Sequence, residues 1–413
     1  MTTTTDVLVV GGGPAGASTA ARLASAGRDV TLVERGEPSR AKTCGDALSP
    51  PALRELAELG VDPLTLGAHA VDGLRFVRDE QVVRLPWPEA DGYPRHGAVL
   101  RRARLDQHLR DLAADAGAHV LYGHEATSPL VERGFVRGAT VVSEAGATQV
   151  RSRFLVVADG ANSRFGRTLG TTRERAWPYG VATRTYFTSP RSAEPWMEVT
   201  LGPADPNGRS ITGFGWVDPL GDGTVNVGIG MLSTYRDVMS VNAIRLLRSF
   251  AAEIAERWEL DPEGMLDAPS RSRIPLGGSV GPRMGPTFLV AGDAGGLAHP
   301  LTGDGVHAAL SSGRIAADVL AEALASGSST SLQRYPSALG TEVDHPHVVG
   351  RLVARFLGRP SVLGPALWLG MRNERVLGGA LRIATNELRT DGRGGAERAD
   401  RVARFVARFA PRW

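Results

Sequence analysis

Val7-Leu8-Val9-Val10 is an unbroken apolar run, the pattern of a strand covered on both faces, and Gly11-Gly12-Gly13-Pro14-Ala15-Gly16 follows it at once. Residues 17–26 are mostly small and predict a helix that Gly27 stops; Val30-Thr31-Leu32-Val33 predicts a second buried strand, closing on Glu34. Strand, glycine-rich turn, helix and strand in that order predict a parallel βαβ unit. Two later apolar runs, 154–158 and 288–291, predict further buried strands that end in Asp159-Gly160 and Gly292-Asp293. Between them the period changes to two. Residues 73–78, 81–85, 180–187, 196–201 and 224–230 alternate as half-buried strands do, which predicts an antiparallel sheet able to roof a cavity. A helix is predicted over 306–324, and the chain reads as helical from His345 onward. There Arg351, Arg355 and Arg359 stand opposite Leu352, Val353 and Phe356, and Arg401, Arg404 and Arg408 opposite Val402, Phe405, Val406 and Phe409.

Composition removes several classes. The chain has 413 residues and a formal charge of 47 − 44 = +3, too balanced for a nucleic-acid polycation. Its 42% hydrophobic content excludes disorder, and its 51 glycines follow no collagen period. Cys44 is the single cysteine, so neither an internal disulfide nor a cysteine metal cage is expected, and no metal-ligand cluster is assigned. Lys42 is the only lysine, so a mechanism that needs a catalytic lysine must use it. No run of about 18 apolar residues occurs, and Met1-Thr2-Thr3-Thr4-Thr5-Asp6 lacks a basic segment or a cleavage site. The expectation is a cytoplasmic protein that neither spans a membrane nor carries a secretion signal.

The opening glycines are G-x-G-x-x-G in the context that motif needs. Gly11 permits the tight turn, Gly13 lets the backbone approach a pyrophosphate, and Gly16 lets helix and strand pack closely. Pro14 and Ala15 begin the helix whose N-terminus would receive the pyrophosphate. Glu34, 18 residues after Gly16, is placed to accept hydrogen bonds from a ribose, with Arg35 beside it.

Together with Asp159-Gly160 and Gly292-Asp293, this motif resembles the FAD-binding set of the p-hydroxybenzoate hydroxylase superfamily. The resemblance implies non-covalent FAD, with Gly292-Asp293 at the ribityl chain, Asp159-Gly160 near the pyrophosphate, and Arg102 at the start of a helix contacting the cofactor. A solvated helix cap is the plain alternative for Arg102. Within the superfamily, Lys42-Thr43-Cys44-Gly45-Asp46-Ala47-Leu48-Ser49-Pro50 is similar to a segment of the geranylgeranyl reductase family, which saturates isoprenoid double bonds with reduced FAD. Gly213-Phe214-Gly215-Trp216-Val217-Asp218-Pro219 resembles that family's cavity-wall motif, with Asp218 where an apolar residue is usual. The spacing from Gly292-Asp293 to Pro300 and Gly303-Asp304-Gly305 is also that of the reductases, with His299 before the proline and His307 in the helix that follows. The resemblance covers residues 6 to about 320 at motif level and the rest more loosely.

It implies an α/β architecture in which a Rossmann-type FAD-binding domain (1–70, 101–175 and 276–330) is interleaved with substrate-domain strands (71–100 and 176–275), before a C-terminal helical region (331–413). Phe214, Trp216, Asp218 and Pro219 would line the substrate cavity, with Asp218 at a strand end facing solvent as the alternative; Trp177, Tyr179 and Trp196 are further aromatic candidates, although core packing selects the same residue types. Cys44 and Gly45 would lie against the flavin. Cys44, His299 and Trp216 are the catalytic candidates: the thiol either protonates substrate or packs as a small buried group, and His299 is either an acid–base group or a hydrogen-bonded structural one. The helix after Gly303–Gly305 would turn its positive end toward the flavin and stabilise the reduced anion. The expected function is FAD-dependent reduction of an isoprenoid chain, with the prenyl tail of menaquinone as one candidate, NADPH or another donor visiting transiently, and no nucleic-acid partner. The basic C-terminal helices either touch an anionic membrane or dock on the core with their arginines in water. The alternative function is a flavin monooxygenase of small-molecule biosynthesis. Halogenation fits poorly, because no lysine follows Lys42.

Overall fold

The computed structural model describes residues 2–39, 42–205, 208, 210–235, 241–357, 365, 368–385, 387, 395, 397, 398 and 401. Two seven-stranded sheets organise them. In the first, strand Thr2–Val10 pairs in parallel with Val30–Glu34 on one side and Gly146–Val157 on the other. His119–Tyr122 extends the parallel edge beyond Val30–Glu34, and Phe288–Val290 pairs in parallel with Gly146–Val157. The hairpin partners Phe135–Ser143 and Glu125–Glu132 complete the sheet as antiparallel strands. Val7, Leu8 and Val9 are wholly buried, because helices cover one face of the parallel part and a second apolar cluster the other.

Helix Pro14–Ser25 runs directly from the glycine turn and packs on the long helix Val306–Ser326. Gly313 sets that approach: a Cβ there would stand 2.3 Å from Ser18 Oγ and 2.5 Å from the Ala15 carbonyl oxygen. The first strand, the opening helix and a helix nearly 300 residues away therefore form one unit.

The second sheet runs Ser270–Pro275, Tyr179–Thr188, Thr224–Leu232, Gly213–Pro219, Trp196–Leu201, Gly73–Arg78 and Gln81–Pro86. All its pairings are antiparallel except that of Trp196–Leu201 with Gly73–Arg78. That parallel pair arises because the 73–86 hairpin reaches the sheet from the other side of the chain's long excursion, a topology that alternation alone does not reveal. Helix Ala243–Trp258 covers one face, its Phe250 ring lying where a side chain on Gly215 would go. The opposite face carries Phe214, Trp216 and Asp218, because side chains two apart on a strand share a face.

The expected C-terminal helices appear as His345–Leu357 and Glu374–Thr385. Arg351 departs from a basic face in water: its guanidinium donates to the carbonyls of Gly277 and Asp344 and lies over the Trp177 ring. The side chains of Arg355 and Phe356, and all of Arg359, Val402, Arg404, Phe405, Val406, Arg408 and Phe409, lie outside the described residues. Among the described residues no helix is long and apolar enough to cross a membrane, and no group of three metal-ligating side chains is found.

Candidate active site

The glycine turn uses its residues unequally. At Gly11, φ is +104° and a Cβ would lie 2.3 Å from the Ala158 carbonyl oxygen; at Gly16 it would lie 1.9 Å from that of Gly11. Both are dictated by close backbone approach. At Gly13 a Cβ would meet no protein atom within 4 Å, and the helix that starts at Pro14 has no side-chain cap. Helix-end N–H groups and open space thus coincide. Ala15 packs against the turn at Gly292, where a Cβ would come within 3.0 Å of it.

Glu34 is buried and accepts the N–H groups of Gly12 at 2.9 Å and Gly36 at 2.8 Å, fixing the acid at the rim of that space. Arg35 instead reaches the surface, 3.9 Å from Glu125. Arg110 belongs to the same rim and was not singled out by the sequence. Its guanidinium donates to the carbonyls of Gly12 and Pro38 and clamps the loop after the second strand. Only tertiary structure shows this contact, since nothing in the pattern of helix Arg102–Asp115 distinguishes Arg110 from its neighbours.

Beyond strand Gly146–Val157, Asp159 Oδ2 accepts the Phe165 N–H at 2.9 Å while Oδ1 is buried without a partner among the described residues. Burial pushes this carboxyl above its ordinary range. Gly160, at φ +82°, again faces open space. Gly292 donates its N–H to Ser312 Oγ, and Asp293 pairs with Lys42 at 3.0 Å, so the only lysine ties the Cys44 loop to this turn. Gly305 lies beside Asp293 Oδ1 and Gly303 opens onto space. Asp304 accepts Ser49 Oγ at 2.7 Å through one oxygen and the Val306 N–H at 3.1 Å through the other, closing the start of the long helix.

His299 is built into the same loop: its Nδ1 accepts the N–H groups of Leu301 and Thr302, and its ring stands edge-on to His347 at 4.9 Å between centroids. Burial pushes its imidazole down to about 4. Pro300 packs where a side chain on Gly350 would be. Both residues thus face the helix His345–Leu357.

The Cys44–Asp46 loop is held against the second sheet by a buried polar network. Asp46, with φ +67° and no exposure, accepts the Arg102 N–H at 3.0 Å, Tyr186 Oη at 2.6 Å and Asn226 Nδ2 at 2.8 Å. Asn226 also donates to the Cys44 carbonyl and accepts Trp216 Nε1 at 3.1 Å. Arg102 is 4% exposed and grips Asp106 through two nitrogens, so it is no solvated cap. Burial pushes the partly exposed Cys44 thiol up, against the pull of Arg102. Gly45 needs its missing side chain, since a Cβ would come 2.7 Å from Asp218 Oδ2 and 3.3 Å from Trp216 Nε1. Trp216 lies on Gly228 and Phe214 on Gly230, with 6.0 Å between the two ring centroids. Those two glycines make the wall possible; the sequence showed them only as members of the alternating stretch 224–230, with no role assigned. Pro219 closes the strand beyond Asp218 and is buried. Trp177 and Tyr179 do not join this wall. They line a separate groove of about 1250 Å³ with Arg167, Arg173, Arg273 and Arg283, next to Ala161 and Ala294.

The open space at Gly13, Gly160 and Gly303, the orphaned Asp159 oxygen and the buried Glu34 suit an elongated dinucleotide lying across the ends of the parallel strands. Similarity to known proteins agrees. Residues 4–339 match the FAD binding domain family. "Menaquinone reductase" of Mycolicibacterium smegmatis is 36% identical over 98% of this chain and 95% of its own length. "Digeranylgeranylglycerophospholipid reductase" of Methanocella arvoryzae is 31% identical over 85% of this chain and 87% of its own. A geranylgeranyl bacteriochlorophyll reductase-like protein of Thermoplasma acidophilum superposes with a TM-score of 0.75 at 27% identity, over 87% of this chain and 88% of that one. The flavin-dependent brominase Bmp2 also reaches 0.75, at 18% identity over 99% of this chain and 100% of that one, which is a likeness of fold alone. The fold and site are those of an FAD-dependent oxidoreductase. The chain belongs to the FAD binding domain family, among the geranylgeranyl reductase-type flavoproteins.

Proposed function

We propose that this protein reduces carbon–carbon double bonds of an isoprenoid chain, with the prenyl tail of a menaquinone as the substrate class. The observation that carries the reading is the Phe214–Trp216 wall, seated on Gly228 and Gly230 and set against the Cys44–Gly45 loop. Its support is the 36% identity to a menaquinone reductase along nearly the whole chain. Gly13 and the helix N-terminus would hold the FAD pyrophosphate, Glu34 the adenosine ribose, Asp159 and Asp293 the middle of the cofactor, and Gly303–Gly305 the edge of its ring. Bound there, FAD supplies the hydride chemistry. The chain's own residues do the rest. Phe214 and Trp216 exclude water and lay the alkene flat, and the network through Asp46 and Asn226 keeps the loop opposite them in register.

The donor we assign to the reduced nicotinamide dinucleotide class, visiting the groove where Arg173 and Arg273 would meet its phosphates and Trp177 and Tyr179 its rings. A peripheral membrane contact would suit a prenyl substrate, and Trp368, Leu369 and Val376 are exposed beside Arg372 and Arg375. The test is anaerobic: reduce the bound flavin, add a menaquinone, and record the flavin spectrum and product mass. Reoxidation with a gain of two hydrogens per bond is the expected result; flavin reoxidised only by oxygen, with a gain of one oxygen in the product, would overturn the proposal.

A further inference from the structure

The polar groups that hold the Cys44–Asp46 loop against the second sheet are engaged, and Asp218 beside them is not. Asp46, Asn226, Tyr186, Trp216 Nε1 and Arg102 all make the hydrogen bonds described above. Asp218 is 5% exposed and, among the described residues, makes no hydrogen bond or ion pair. A carboxyl withdrawn this far from water without a partner is costly and has no structural return here, since Asp218 neither caps an element nor anchors the loop. Its place is specific. It shares the face of Phe214 and Trp216 at the inner end of the wall, and its Oδ2 fills the room left by the missing side chain of Gly45.

We propose that Asp218 is the acid that protonates the substrate alkene, an assignment that rests on the reductase reading. One alkene carbon receives a hydride, with its electron pair, from the reduced flavin, which is thereby oxidised; the other carbon takes the proton of the Asp218 carboxyl. The O–H bond breaks, the carboxylate keeps that pair, and it regains a proton from water after the saturated product leaves. The setting favours the protonated acid. Burial and the Asp46 carboxylate disfavour an anion at Asp218. The other groups that face this place are Cys44 and Arg102, and Tyr186 with Arg101 and Arg184 stacked on its ring. Arg102 is occupied by Asp106, and both Arg101 and Arg184 sit over the Tyr186 ring, so none of the three pairs with Asp218. Cys44 is the rival donor, but burial makes its thiol a weaker acid than an ordinary one.

The test compares FAD-loaded wild type with Asp218→Asn, which keeps shape and loses no hydrogen bond. In the infrared, the wild type should show a protonated-carboxyl C=O stretch that shifts in deuterium oxide and is absent from the variant, with FAD affinity unchanged. After anaerobic reduction, reoxidation by menaquinone should be slowed about 100-fold or more in the variant. The wild-type rate should fall as pH rises through the acid's titration, and the variant should lose that limb. Wild-type flavin that no prenyl chain reoxidises overturns the reductase reading, and this assignment with it. Wild-type reoxidation that Asp218→Asn leaves unchanged, or changes only through a raised KM, overturns the proton-donor role alone. A wild-type minus variant spectrum that lacks the carboxyl band does so as well.

Discussion

At the scale of single residues, the glycines of the site divide by what a side chain would strike. A Cβ on Gly13 meets no protein atom, whereas on Gly45 it would meet Asp218. Gly13→Val should therefore leave the melting temperature within about 2 °C of wild type, since changes without internal contacts cost little, yet abolish FAD binding. A titration of the apoprotein with FAD, read by flavin fluorescence, checks both halves. Asp46 is different, because three donors depend on it. Asp46→Ala should cost at least about 2 kcal/mol in urea unfolding, the desolvation penalty of donors left unpaired, and should weaken FAD binding as the Cys44 loop loosens. Asp46 was present in the motif of the sequence only as an acid beside Cys44-Gly45; its left-handed backbone and its partners came from three separate segments.

At the scale of elements, strand Gly213–Pro219 and strand Thr224–Leu232 work as a pair, one supplying rings and the other the glycines beneath them. Gly228→Ala would put a Cβ about where the Trp216 ring now lies, so the ring must leave the wall. Turnover of menaquinone should fall at least as far as in Trp216→Ala, where lost apolar contact is worth roughly 3 kcal/mol, while FAD affinity stays close to wild type. Kinetics and flavin titration on the same preparations separate the two effects. A second element-level device is the pairing of the 299–305 loop with helix His345–Leu357 through His299 and His347. The folded pocket depresses His299 from 6.5 to about 4 by burial and lowers His347 in the same direction. The unfolded chain then binds more protons than the folded one between those values, so stability is complete above pH 6.5 and is lost as pH falls toward 4. The melting temperature should drop over that window, and His299→Gln should make the drop shallower. Equal slopes for the two proteins would remove His299 from this account.

At the scale of the whole molecule, two surfaces outside the wall concern how the site is served. If the arginine-lined groove receives a dinucleotide donor, Arg173→Glu with Arg273→Glu should raise the KM for NADPH at least about tenfold, the order expected from losing two charge-assisted contacts. Reoxidation of prereduced flavin by menaquinone should be unaffected. If Trp368 and Leu369 meet a membrane, replacing both by serine should reduce sedimentation with anionic vesicles and leave turnover of a detergent-solubilised substrate intact.

The sequence by itself determined the parallel nucleotide-binding unit, because uninterrupted apolar runs and obligatory glycines are local signals that do not depend on distant partners. Val7–Val10, Gly11–Gly16 and Val30–Glu34 read the same way alone as in the sheet. It named Phe214, Trp216 and Asp218 only through a family resemblance, and the strand Gly213–Pro219 that sets them on one face appeared with the structure. Only the tertiary structure decided what each side chain faces. It set His299 against His347, spent the Arg102 charge on Asp106, and brought Arg110 to Gly12. Among the described residues it also left Asp218 without a partner beside a buried network built from five separated stretches of chain. The physical reason is that burial and partner choice for a charged group depend on contacts across 180 residues or more, and no periodicity along the chain encodes them.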